Sequence, residues 1–159
     1  MKLQFSKGSS PFSLLICWAF QEPVSHFSYL IDGHLVFESN LLGVGLDWNS
    51  NFLSTHQIIY ELEWTEKEPD SFYTGLITKA DGLPYDYIGA TWLLYRALLR
   101  RFFKIPIPAT NPWKQANTFD CVELVSLLGL DISQDPSTMS PYALYLRLKS
   151  VLPSEPGTT

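Results

Sequence analysis

The sequence predicts an α+β fold, with a small antiparallel sheet packed against helices, and three observations carry that expectation. A length of 159 residues fits one domain that buries its own core. The pair Asp32-Gly33 sits between two β-forming runs, which is a hairpin signature. Ser10-Pro11 and Ser140-Pro141 each combine an N-cap serine with a proline suited to a first helical position.

Taken in order, the first helix follows Ser10, carries Phe12, Leu15, Ile16 and Ala19 as one stripe, and ends before Pro23. The hairpin pairs Ser25–Ile31 with His34–Glu38. A Gly- and Asn-rich loop is expected from Asn40 to Ser54, then a strand over His56–Glu63, an acidic solvated turn, and another strand over Phe72–Thr78. After the turn Asp81-Gly82-Leu83-Pro84 a long helix is predicted from about Asp86 to Phe103. Its apolar face would hold Ile88, Trp92, Tyr95, Leu99 and Phe102, with Arg96, Arg100, Arg101 and Lys104 on a solvated basic face. Pro106, Pro108 and Pro112 stiffen the loop that follows. One more helix should start near Asp120 and stop at Gly129, and the last should run from Ser140-Pro141 to about Leu152. Residues 1–152 thus form a single domain, and the tail 153–159 is expected to be disordered.

Composition narrows the function. Hydrophobic residues make up 46% and charged residues 17%, and the mean hydropathy is +0.03, which is ordinary for a packed domain. A net charge of −5 argues against binding nucleic acid through its phosphates. Five Trp, eight Tyr and ten Phe supply core or a ligand groove. Two cysteines exclude a disulfide scaffold and a four-cysteine zinc site, and point to synthesis in a reducing, cytoplasmic setting. No apolar run is long enough to span a membrane. Lys2 and Lys7 ahead of the apolar stretch Pro11–Phe20 look a little like a leader, but Gln21-Glu22-Pro23 stands where a small-residue cleavage site would be needed.

Cys121 has the surroundings of a nucleophile. With Asp120 as N-cap, Glu123 falls at the third helical position, as in a capping box, and Cys121 becomes the first helical residue. A helix start favours a thiolate. Cys17, on an apolar helix, reads as structural. A nucleophilic cysteine needs a base, and the base needs an orienting group. His34 at the hairpin turn and His56 after a polar loop are expected to be solvated. His26 has a strand setting and an acidic candidate on the next strand, Glu38. A two-residue turn would put His26 and Glu38 on opposite faces. A three-residue loop Ile31-Asp32-Gly33, with Gly33 at positive φ, would set them directly opposite one another. A metal site from His26, His34 and Cys121 lacks any short ligand spacing, so neither a metal nor another cofactor is expected.

The segments SPFSLLICWAFQEPVSHFSYLIDGHLVFES, LPYDYIG and NTFDCVELV together resemble the circularly permuted branch of the NlpC-type papain-like cysteine peptidases. That branch includes the YiiX-like proteins and is related to lecithin retinol acyltransferase. In it the histidine strand precedes the cysteine helix, as His26 precedes Cys121 here. The resemblance spans about half the chain and implies a permuted papain-like fold, whose sheet packs on the helix bearing the cysteine. It implies Cys121, His26 and Glu38 as catalytic residues and Tyr85, of the shared Tyr85-Asp86 pair, as an oxyanion or substrate-positioning residue. Val122 stands where the family commonly has serine. The implied activity is hydrolysis of an amide bond, with bacterial cell-wall peptide as substrate. The alternatives are lipid or thioester acyl transfer on the same fold, and a non-catalytic interaction protein. The ending CVELVSLLGL…SPYALYLRL resembles small phage-encoded members, which implies a virion partner and virion association.

Overall fold

The computed structural model describes residues 1–64, 69–129 and 132–152. It is an α+β structure built on a five-stranded antiparallel sheet. The strands are β1 (Lys2–Gly8), β2 (His26–Ile31), β3 (Leu35–Asn40), β4 (Gly43–Trp48) and β5 (His56–Glu63), in spatial order β4-β3-β2-β1-β5. Five α-helices are described: α1 (Pro11–Phe20), α2 (Asn49–Thr55), α3 (Pro69–Ala80), α4 (Tyr87–Phe103) and α5 (Pro141–Val151), with short 3-10 helices at Glu123–Leu128 and Pro136–Thr138. None of the described helices is long and apolar enough to cross a membrane.

Three of the predicted helix starts hold. Ser10 caps α1 by accepting from the Ser13 amide, Asp86 caps α4 through the Gly89 amide, and Ser140 caps α5 through the Ala143 amide. Strand β1 has no counterpart among the expected elements, although Leu3-Gln4-Phe5-Ser6 alternates with period two and lies inside the sheet between β2 and β5. Three expectations are corrected. The stretch 40–54 is not a loop but β4 and α2. Gly43 makes that hairpin possible, because its φ is +122° and a Cβ there would meet the Leu83 carbonyl at 2.8 Å. The strand predicted over Phe72–Thr78 lies in helix α3, where a short β-rich run was outvoted by its helical context. Finally, α4 buries Gly89, Trp92, Leu93 and Ala97, whereas Ile88, Tyr95 and Phe102 are exposed. Small residues, invisible to a search for large apolar side chains, mark its inner face. Of the basic residues, Arg101 lies 4.3 Å above the Trp18 ring and Arg96 donates to the Pro106 carbonyl. The expected tail lies outside the described residues, as does part of the acidic turn.

The two faces of the sheet differ. On one, Leu3, Phe5, Phe27, Tyr29 and Phe37 join Leu144 and Leu148 of α5 and Leu124 and Val125 in the main core. Each of these fully buried side chains contributes about 1.5–3 kcal/mol. On the other, Leu30, Val36 and Ile58 pack under Phe52 of α2, and beside them runs a buried polar strip of Gln4, Ser6, His26, Ser28 and Glu38.

Candidate active site

The hairpin has the odd loop that the site requires, but not the predicted one. Ile31 stays in the ladder opposite Leu35, and the loop is Asp32-Gly33-His34, closed by a bond from the His34 amide to the Ile31 carbonyl. Asp32 and Gly33 both take positive φ, 49° and 75°. The shift has a packing cause: Ile31 belongs to the main core, and a loop containing it would expose it. Ser28 therefore opposes Glu38, and His26 lies one diagonal step away on the same face. A diagonal pair is about 7–8 Å apart at Cα, within reach of these two side chains. His26 Nε2 and Glu38 Oε2 meet at 2.7 Å, both residues buried. The other carboxylate oxygen of Glu38 accepts from Asn40 Nδ2 at 2.8 Å, which fixes the carboxylate from its far side.

Cys121 arrives from the opposite end of the chain. The reciprocal capping box predicted around it is present: the Glu123 amide donates to Asp120 Oδ1 and the Asp120 amide to Glu123 Oε2, each at 2.9 Å. Lys114 pairs with Glu123. The α-helix expected from the box is absent, however. Cys121 and Val122 form a turn, followed by six residues of 3-10 helix that end at Gly129 in the left-handed conformation. The alignment of peptide dipoles expected at the thiol is therefore not available, and the sheet packs against a turn instead of a helix at the cysteine. Two bonds tie this segment to the sheet: Ser39 Oγ donates to the Phe119 carbonyl at 2.6 Å and the Tyr29 hydroxyl donates to the Leu124 carbonyl. Residue 119 also bridges to Tyr85, which brings that buried tyrosine to the same place.

His26, Cys121 and Tyr85 line one cavity of about 320 Å³, together with Ser39, Asn40 and His56. Burial alone would pull the His26 imidazole down. Its interactions with Cys121 and Glu38 outweigh burial and push its pKa up to about 10. Burial pushes Glu38 up, but its bond to His26 holds the carboxyl below its usual range. Nε2 is taken by Glu38, so Nδ1 is the ring nitrogen that a proton from the Cys121 thiol would have to reach. Tyr85 is raised well above an ordinary phenol, first by burial and then by the charge of Cys121. Beyond Cys121 a smaller apolar recess is lined by Phe12, Ile16, Leu93 and Met139. Cys17 and Cys121 are both free thiols, and Cys17 is half-buried with its pKa raised by burial.

His34 is exposed in the hairpin loop, as expected. His56 is not solvated. It is half-buried, its ring stacks on Phe52 at 4.2 Å, and its centroid lies 5.1 Å from that of His26. Burial, then the nearby His26 charge, lowers its pKa. One donor atom from each of His26, Glu38 and His56 lies within 4.8 Å of the others, an arrangement able to hold a metal ion. The signal that could have found His56 is its place two residues before Ile58, on the sheet face that carries His26. Compared with known proteins, the chain matches no family model, no curated protein and no solved structure.

Proposed function

We propose that this protein is a cysteine hydrolase that cleaves an amide bond, on a permuted papain-like version of the α+β fold, with bacterial cell-wall peptide as its substrate class. The observation that supports this reading is the His26 imidazole bonded to the Glu38 carboxylate at 2.7 Å in a cavity that the Cys121 thiol also lines. His26 takes the thiol proton, giving a thiolate–imidazolium pair, and Cys121 attacks the carbonyl carbon. The Cys121 backbone N–H and the Tyr85 hydroxyl are the proposed donors to the oxyanion. His26 then protonates the leaving amine, and water, deprotonated by His26, releases the acid from the thioester. Glu38 keeps the ring oriented and balances its charge.

A second reading, acyl transfer from a lipid or thioester, draws on the apolar recess behind Cys121 and on Leu41 and Leu42 at the cavity mouth, Leu42 being 98% exposed. The deciding experiment treats the protein with iodoacetamide and maps the adducts, then offers cell-wall muropeptides and long-chain acyl thioesters in parallel. Rapid labelling of Cys121 that is lost in His26→Ala, with a new free amine from the muropeptide, is the expected result. Consumption of the acyl thioester alone favours the second reading. Labelling of Cys121 no faster than of a free thiol overturns both.

A further inference from the structure

We propose that His26, Glu38 and His56 form a binding site for a first-row transition-metal dication, with Zn²⁺ as the type ligand, and that filling it silences Cys121. The metal site stands on geometry alone; only its effect on Cys121 rests on the cysteine reading above. Two imidazoles and one carboxylate are a donor set that Zn²⁺ uses, with bonds of about 2.0–2.2 Å. The three donors already lie within 4.8 Å of one another, and tetrahedral coordination, with ligand atoms about 3.4 Å apart, asks the widest pair to close by about 1.4 Å and the 2.7 Å His26–Glu38 pair to open by about 0.7 Å.

The outer groups are those a metal site needs. His56 Nδ1 lies 3.0 Å from the Thr55 hydroxyl and 3.3 Å from the Phe52 carbonyl, so a proton on Nδ1 has an acceptor there and leaves Nε2 its lone pair for a metal. Asn40 holds the Glu38 oxygen that His26 does not use. Phe52 stacks on the His56 ring and fixes its plane. Gly8 leaves room for it, since a Cβ there would lie 3.2 Å from His56 Nε2. A further observation points to a ligand. Ser6 and Ser28 are the cross-strand neighbours of His26 and Glu38, they are fully buried, and neither hydroxyl has a protein partner. Metal-bound water would give them one.

The consequence for the thiol follows from the tautomer. A metal on His26 Nε2 replaces the proton shared with Glu38, and the neutral ring then carries its remaining proton on Nδ1. That nitrogen can no longer accept the thiol proton.

The test starts from metal-free full-length protein. Co²⁺ is titrated optically and Zn²⁺ by competition with a chromophoric chelator, while iodoacetamide labelling of Cys121 is followed with and without Zn²⁺. One equivalent is expected to bind, with no thiolate-to-cobalt charge-transfer band. His56→Ala, and His56→Asn as a variant that keeps a donor toward the Phe52 carbonyl, are expected to weaken binding at least about 10-fold. Both variants should keep labelling at a Zn²⁺ concentration that silences wild type, each rate being read as a ratio to that of the same variant without metal. Absence of stoichiometric binding, affinity unchanged in both variants, or a thiolate charge-transfer band overturns the site. Stoichiometric binding lost in the variants, with Cys121 inert even without metal, leaves the site standing and removes the cysteine reading instead.

Discussion

The two faces of the sheet are made by the same strands, residue by residue in alternation, and they serve different ends. Phe27 and Tyr29 face the main core, while His26 and Ser28 between them face the polar strip. On β3, Phe37 and Glu38 divide in the same way. Both faces are largely buried, but only the apolar one gains free energy from being so. Burial of the polar strip costs desolvation, and the cost is offset where partners exist, as for His26, Glu38 and Asn40, and is left open at Ser6 and Ser28. The lesson is that the apolar face holds the strands in register so rigidly that the other face can carry an ion pair and unpartnered hydroxyls without coming apart.

The strongest way to break the comparison is to remove the groups proposed to react. Cys121→Ala or His26→Ala should lower turnover of a muropeptide amide at least about 10⁴-fold with the fold retained by circular dichroism. Catalysis that survives Cys121→Ala would assign bond cleavage to another group. Glu38→Gln should lower turnover by about 10²–10⁴-fold, since an amide orients the ring without balancing its charge. The same variant tests the ion pair through pH. His26, raised to about 10, contributes stability that is full below its unfolded value near 6.5 and is lost as pH rises toward 10. Glu38, lowered, contributes above its unfolded value near 4.5 and loses that contribution as pH falls. The gap in thermal stability between wild type and Glu38→Gln is therefore expected to be widest between about pH 4.5 and 6.5. A gap independent of pH would mean that the pair is not ionised.

On the apolar face, Phe27→Ala should cost about 3–5 kcal/mol in denaturant unfolding, yet leave Cys121 labelling intact in the folded fraction. Loss of labelling at unchanged stability would show that the two faces are not separable. Ser28→Ala sharpens the contrast, because a fully buried hydroxyl without a partner should be replaceable within about 1 kcal/mol, or with a gain. A larger loss would reveal a bound water or ion there. The smallest effect is expected for Cys17→Ser, which should leave turnover unchanged within about twofold and disturb only local packing, as the activity assay and a melting curve would show.

Much of the site was legible because it rests on local rules. The capping box of Asp120 and Glu123 is a four-residue pattern, and it formed. The parity that puts His26 and Glu38 on one face follows from an odd loop, and the loop is odd. What failed depended on neighbours distant in sequence. The loop moved by one residue because Ile31 is needed in the core, the helix at Cys121 became a turn and a 3-10 segment, and His56 was drawn from solvent by Phe52 and by the strand order.

The sequence by itself determined which residues cap helices, where the chain must turn, and which strand residues share a face, because those are properties of backbone geometry within a few residues. Only the tertiary structure decided that β1 lies between β2 and β5, that α4 turns Gly89 and Ala97 inward beside Trp92 and Leu93, and that a cysteine beyond α4 lines the same cavity as a histidine at the start of β2. Those outcomes belong to the packing of the whole chain, where the free energy of burying one surface depends on what every other element leaves uncovered.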